Sequence, residues 1–335
     1  MQRYIANRLI WLILVLIGVT LLTFTMTNLI PADPARAAAG LDARAEQVEE
    51  IRKDMGLDKP LYVQYFSYIW RLLHGDLGMS SRSRRPVLKD LASYFPATME
   101  LAIATMIIYT LVGVPLGIVG AIKRGTLLDR LLDAFSIVGV AMPQFWLALM
   151  FQLILFGRLG WFPSSGRLPI GLEPPARVTG MYVVDSLLAG DLQTVLASTH
   201  HLCLPALTLA LGSIGNVTRV ARRSMIGVLG TDYVRTARAK GLRERAVIWK
   251  HAFKNALIPV ITILGLQIGS VLSGAVLVEI VFAWPGIGKY LFDSIAYIDF
   301  QPIMGTTLLI AFVFVLANLI VDIAYVAIDP RITYS

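Results

Sequence analysis

Six apolar runs, bounded by charges or by Pro/Gly clusters, set the pattern of this chain: about residues 9–30, 97–121, 131–157, 202–221, 257–280 and 303–327. A helix needs about 20 apolar residues to cross a hydrocarbon core of roughly 30 Å. The first, third, fifth and sixth runs meet that length clearly. The fourth is weaker, because Ser213, Asn216 and Thr218 interrupt it. Polar positions inside a span are tolerated against protein or water and not against lipid, so this helix is expected to face inward. The pattern predicts an all-α integral membrane protein with six transmembrane helices. Arg3 and Arg8 precede the first run as they would in a secretory leader, yet the run of about 22 residues is too long for a signal core. A retained first helix is expected over residues 1–30.

Residues 31–95 predict a small external helical subdomain. Val48, Ile51 and Met55 recur at helical spacing, and Gly56 stands where a C-cap would end that helix. Pro60 opens a second helix with Val63, Phe66, Ile69, Trp70 and Leu73 on one face, closed by Gly75. A third short helix is expected from Pro86. Tyr62, Tyr65, Phe66, Tyr68 and Trp70 suit a headgroup-level belt and suit a packed external cap equally well. The rest of the chain, 96–335, is expected to form a five-helix core. Its loop 158–200 opens on Gly160, Trp161, Phe162 and Pro163, a turn-rich composition with an interfacial Trp.

Composition agrees with a bilayer as second solvent. The 335 residues are 56% hydrophobic and 16% charged, with a mean hydropathy of +0.68, where a soluble domain is nearer 45–50% apolar and 25% charged. A net charge of +8 suggests nucleic acid or an acidic membrane surface, but in a membrane protein the distribution decides. Residues 219–254 carry ten basic side chains against Asp232 and Glu244, and Lys123, Arg124 and Arg130 follow the second run. Both clusters fall on the side of the N-terminus and of Arg331, which the positive-inside rule makes cytoplasmic. The opposite loops are near charge balance, so six spans with both termini inside fit every loop.

Cys203 is the only cysteine, which excludes a disulfide framework and a multi-thiolate metal site. No HExxH, CxxC or GxxxxGK[ST] pattern occurs, so zinc-hydrolase and nucleotide-binding readings gain no support. His200 and His201 are adjacent and point to different sides of a helix, which favours surface placement over a metal site.

The most informative stretch lies within residues 222–256, between the fourth and fifth runs. Small residues alternate with bases from Asp232 to Lys254, and Gly241 is expected to turn the chain between two short helices on the membrane surface. One reading is a basic loop that only obeys the positive-inside rule. The other is a docking element, in which the small Ala237 and Gly241 admit a partner's groove and flanking bases hold register.

The run Arg235-Thr-Ala237-Arg-Ala239-Lys240-Gly241-Leu242, followed by His251, Asn255 and Pro259, resembles the cytoplasmic signature of ABC-importer permeases. More narrowly, it is similar to the first permease of the dipeptide/oligopeptide/nickel family. Pro31-Ala-Asp33-Pro34, Gly56-Leu-Asp58, Gly75-Asp-Leu-Gly78, Pro143-Gln-Phe-Trp146, Trp284-Pro-Gly286 and Asp329-Pro-Arg331 agree with that family nearly end to end. Arg235 replaces the glutamate of the family's short signature, and the gap from Gly241 to Pro259 is longer than the short form. The resemblance implies a type I ABC importer (MetI-like) permease fold in a bacterial inner membrane. It implies that Arg235, Ala237, Ala239, Lys240, Gly241, Leu242, His251 and Asn255 couple to an ATPase. It further implies a second homologous permease, two cytoplasmic ABC ATPase subunits or domains that use ATP and Mg, and an extracytoplasmic solute-binding protein. No cofactor bound by this chain, no metal and no nucleic acid is expected.

A permease pathway needs polar groups turned into the bundle, since an ionisable group at the bilayer centre costs about 2.5–3.5 kcal/mol. Gln144, Asn216, Gln267, Ser273, Asn318 and Asp322 are the candidates inside spans, with Glu279 at the outer end of the fifth. Asn318 and Asp322 share a helical face; they line the path, or Asp322 holds helices together near the cytoplasmic end, which is the favoured reading. Glu279 meets a cationic or amino group of cargo, or it secures the Pro-Gly turn after Trp284; both readings stand. Gly269 and Ser273 form a small-xxx-small pair suited to helix packing. The alternative from another class is a stand-alone secondary transporter or channel, for which mid-span ionisable residues or an inverted repeat are expected; neither is evident.

Overall fold

The computed structural model describes residues 2–29, 34–39, 43–54 and 56–328. Met55, Pro31, Asp33 and Asp329 to Arg331 lie outside the described residues, as do the side chains of Ser273 and Asp322. Among the described residues the chain is helical: α1 (Gln2–Leu29), α2 (Pro34–Ala39), α3 (Ala45–Asp54), α4 (Leu61–Leu73), α5 (Val87–Ile122), α6 (Leu127–Ala141), α7 (Gln144–Phe151), α8 (Tyr182–Ala189), α9 (Leu192–Leu229), α10 (Asp232–Ala239), α11 (Glu244–Ala246), α12 (Phe253–Val281), α13 (Ile287–Ala296) and α14 (Phe300–Ile328). Five helical stretches among the described residues are long and apolar enough to cross a membrane, and the pair α6 and α7 makes a sixth if its two halves form one span.

That pair departs from the expected continuous helix over 131–157. The two halves meet at 101°. Met142 is extended (φ −78°, ψ 129°), the conformation forced on a residue that precedes proline. Pro143 then opens α7, which passes into a π-helical turn over Gln152–Arg158.

The chain divides into two compact units, residues 1–97 with 285–316, and residues 98–284 with 317–335. In the first unit α3 closes as expected: Gly56 is left-handed (φ 66°), its N–H donates to the Lys53 carbonyl (2.9 Å), and the Leu57 N–H donates to that of Arg52 (3.0 Å). This crossed pair satisfies carbonyls the helix leaves open. Two expectations for 31–95 change. The helix that begins after Pro86 is not short; it continues through the second span to Ile122. And α4 runs along α1, with the Thr20 and Tyr65 hydroxyls 3.1 Å apart and the Tyr65 ring edge-on to Phe24 at 5.4 Å. Tyr68 is buried, whereas Tyr62 and, on the apolar face, Phe66, Trp70 and Leu73 are exposed.

In the second unit, small residues let helices close up. A Cβ at Gly117 would sit 2.6 Å from the Ala221 Cβ, and the Thr218 hydroxyl donates to the Gly113 carbonyl at 3.2 Å, so α5 and α9 touch backbone to backbone. The inward face expected of the fourth span is observed: Ser213 and Thr218 are buried, and Asn216 is half-buried.

Candidate functional site

The basic segment between α9 and α12 is built in three pieces. α10 turns Val234 and Ala237, three apart, into the protein, where both are buried. Its opposite face carries Arg235 and Asp232, whose side chains are 73% and 94% exposed and 3.3 Å apart. Gly241 is left-handed (φ 75°) with open space where a Cβ would point, and its N–H donates to the Arg238 carbonyl at 2.9 Å. Two bonds from the Arg238 guanidinium to Glu244 (2.7 and 3.2 Å) brace the turn from outside.

Gly241 turns the chain as expected. The second short helix does not stand alone: α11 runs through a π-helical turn (Val247–Ala252) directly into α12. Val247, Ile248 and Ala252 are buried beneath it. Asn255 donates through Nδ2 to the Tyr233 hydroxyl (2.9 Å) and to the His251 carbonyl (3.0 Å), tying the start of α12 to α10. Ala237 thus packs inside its own chain, and Ala239, Lys240, Gly241 and Leu242 form the exposed ridge.

Two of the candidate pathway residues come to neighbouring positions. A Cβ at Gly212 would lie 3.6 Å from the Gln144 amide nitrogen, and Gly212 and Asn216 share a face of α9. Gln144 and Asn216 are thereby brought to neighbouring positions, and the Asn216 side chain accepts a bond from Arg219 (2.8 Å). Gln267 is buried on α12 and Asn318 half-buried on α14. Glu279 is fully buried and accepts a 2.6 Å bond from the Thr98 hydroxyl, while its carbonyl accepts the Trp284 N–H (2.8 Å).

Two ion pairs and a loop anchor escaped the sequence reading. Glu100 and Arg167 pair at 2.6 Å with side chains 5% and 7% exposed. Arg167 also donates to the Gly180 carbonyl (2.9 Å) and lies 3.5 Å over the Tyr182 ring. Glu100 further accepts the Val183 N–H (2.7 Å). Glu100 stands inside the second predicted span, and an ionisable residue there is itself a signal. Asp129 and Arg222 form the second pair, and no spacing in the sequence links them. Asp185 organises loop 158–200: it accepts the Thr179 hydroxyl (2.7 Å) and the N–H groups of Thr179 (2.8 Å), Gly180 (2.8 Å) and Val178 (3.3 Å). Burial pushes its carboxyl up, and these four bonds outweigh that and hold it below the usual range.

Among the described residues, no group of three or more His, Cys, Asp or Glu side chains could hold a metal ion. His200 is exposed against the Trp161 carbonyl (2.7 Å), and His201 meets the Ser165 carbonyl (3.0 Å).

Comparison with known proteins gives two family matches. Residues 113–334 match a model described as the binding-protein-dependent transport system inner membrane component. Residues 1–102 match its N-terminal membrane component. The chain is 48% identical to a probable D,D-dipeptide transport system permease protein of Escherichia coli K12, over 96% of this chain and 94% of that one. It is 44% identical to a dipeptide transport system permease protein of Alkalihalophilus pseudofirmus, over 100% of both. A glutathione transport system permease protein of Salmonella typhimurium is 39% identical, again over 100% of both.

Proposed function

The chain belongs to the binding-protein-dependent transport system inner membrane component family, and we propose that it forms one half of a two-permease pathway driven by separate ATPases. It is a multi-pass membrane protein and a permease subunit of an ABC importer, not an enzyme. In the proposed assembly a second homologous permease completes the pathway. Two cytoplasmic ATPase subunits or domains hold ATP and Mg, and an external solute-binding protein delivers cargo. The relatives' names point to dipeptides, or to peptide-like solutes such as glutathione, as cargo.

The observation that carries this reading is the exposed ridge Ala239–Leu242 on a segment whose other face is buried and whose part after the turn runs unbroken from Glu244 into α12. Such a ridge offers a motor a handle. A push on α10 reaches the start of α12 through the Asn255–Tyr233 bond, and α12 carries it from Phe253 to the level of Glu279, about 39 Å. The ten basic residues of 219–254 favour the cytoplasmic side for this segment and for both termini. In that reading Arg235, Lys240, Gly241 and Leu242 meet the ATPase, His251 and Asn255 hold the segment's shape, and Gln144, Asn216, Gln267 and Asn318 line the path.

Affinity purification of the tagged chain from membranes, followed by reconstitution with the binding protein, tests the reading. A second permease and an ATPase should co-purify, and dipeptide uptake should require ATP. Uptake by the chain alone, driven by an ion gradient, would replace it with a secondary transporter.

A further inference from the structure

A four-residue strap, Ser164–Arg167, ties together the ends of several helices of the second unit. At the end of α7 the Gln152 side-chain amide donates to the Ser164 carbonyl (2.9 Å). His201 of α9 meets the Ser165 and Gly166 carbonyls through Nδ1 (3.0 and 3.2 Å). A carbonyl only accepts, so this nitrogen is the one that carries the proton. The Gly166 N–H donates to the Phe282 carbonyl (2.9 Å), where α12 ends against the left-handed Ala283 (φ 46°). Arg167 then closes the strap on α5 through Glu100 (2.6 Å).

Three of these helices are the ones that carry Gln144, Asn216 and Gln267: α7, α9 and α12. α9 and α12 pack along each other. Asn216 and Gln267 each stand fifteen positions from the strap's anchor on their own helix, His201 and Phe282, which is about 22 Å at 1.5 Å per residue. The two amides therefore sit at matched distances from the strap. The strap lies at the end of α12 opposite to the basic segment.

We propose that Ser164–Arg167 is the outer gate of the transport path, latched by Arg167 on Glu100. The inference rests on the reading of α12 as the lever moved by the ATPase. That helix begins beside Asn255 and ends on the strap, so a displacement entering at one end arrives at the Gly166–Phe282 bond at the other. The latch is built to release. The Arg167 side chain is 7% exposed, yet its Nε has no hydrogen-bond partner, so the guanidinium is held less completely than such burial ordinarily demands. The remaining ties are hydrogen bonds to carbonyls and not ion pairs. Lifting the strap admits water to both Arg167 and Glu100, whereas removing one of them by mutation strands the other. Arg167 is in this sense a positioning residue: it holds the barrier and need not touch cargo.

A reversible lock tests this in the assembled importer, reconstituted with its binding protein. Ser165→Cys and His201→Cys, in a Cys203→Ser background, are bridged by a short bis-methanethiosulfonate and freed by reductant. The bridge should lower dipeptide uptake roughly tenfold or more, as expected when the open state is depopulated, and reductant should restore it. A reagent that caps each thiol without bridging them should not lock uptake. Glu100→Gln supplies a second readout that needs no thiols: with the latch weakened, ATP hydrolysis in the absence of binding protein should rise several-fold. A merely structural role would lower hydrolysis and assembly together. ATP-driven uptake undiminished by the bridge, or hydrolysis unchanged in Glu100→Gln, overturns the gate alone. Uptake that needs no ATP overturns the lever reading and the gate with it.

Discussion

Asp129 and Arg222 meet in a two-bond ion pair, the guanidinium donating from Nε (2.6 Å) and Nη2 (2.8 Å) to the two carboxylate oxygens. The same carboxylate accepts the Gly125 N–H at 2.9 Å, so one group closes the α5–α6 turn and anchors it to α9. Arg222 stands where α9 leads to the basic segment. The pair thus fixes the bundle end from which α10 projects.

Removing one partner leaves a charge in a site where Asp129 is 5% exposed. Asp129→Ala is expected to cost about 3 kcal/mol, the lower end for a buried pair because Arg222 keeps some contact with solvent. The reciprocal exchange Asp129→Arg with Arg222→Asp should recover part of that. Thermal unfolding of the purified complex in detergent measures both. Equal loss in the single and exchanged variants would show that the pair does not act as a pair.

Gly241 separates two effects at one position. Its φ of 75° taxes a side-chain-bearing residue by about 1–2 kcal/mol, and Asn tolerates that region better than most. Gly241→Asn should retain most uptake. Gly241→Trp puts bulk on the exposed ridge and should abolish uptake with membrane insertion intact. Normal uptake with Trp would remove the docking role.

Glu100 and Arg167 are both more than nine-tenths buried. Glu100→Ala or Arg167→Ala should destabilise by about 3–5 kcal/mol, through the uncompensated charge left behind. Glu100→Gln keeps a carbonyl for the Val183 N–H and should lose less. Denaturant or thermal curves on the three variants rank them; a milder effect for Ala than for Gln would contradict the assignment.

The lowered carboxyl of Asp185 carries a pH signature. A folded-state pKa below the unfolded value of about 3.9 contributes stability above that value and loses it as pH falls through the folded one. Limited proteolysis of loop 158–191 should therefore stay slow at neutral pH and quicken only below about pH 4. Asp185→Asn should be cleaved faster at neutral pH and show a flatter profile. An unchanged profile would mean that Asp185 does not hold the loop.

These residues also show what the sequence could reveal. The spans were legible because hydrocarbon demands about 20 apolar residues whatever the fold, and the Gly241 turn because glycine marks a left-handed position. The break at Pro143 was legible in principle from the residue before proline, yet apolar continuity across it read as one helix. The outward face of α4 was not legible: Phe66, Trp70 and Leu73 have the spacing of a packed face, and lipid and protein core select the same side chains. Glu100 is visible as a charge inside a span, but nothing in its spacing points to Arg167. Asp129 with Arg222, and Ala237 against its own chain, are tertiary relationships with no local spacing to announce them.

The central claim concerns the ridge at Gly241 and Leu242, and cysteine cross-linking from it tests that claim most directly. In a Cys203→Ser background, Leu242→Cys should form an ATPase adduct in native membranes and resist an impermeant maleimide added from outside. Labelling from outside, or adducts to every neighbour except an ATPase, would contradict the account.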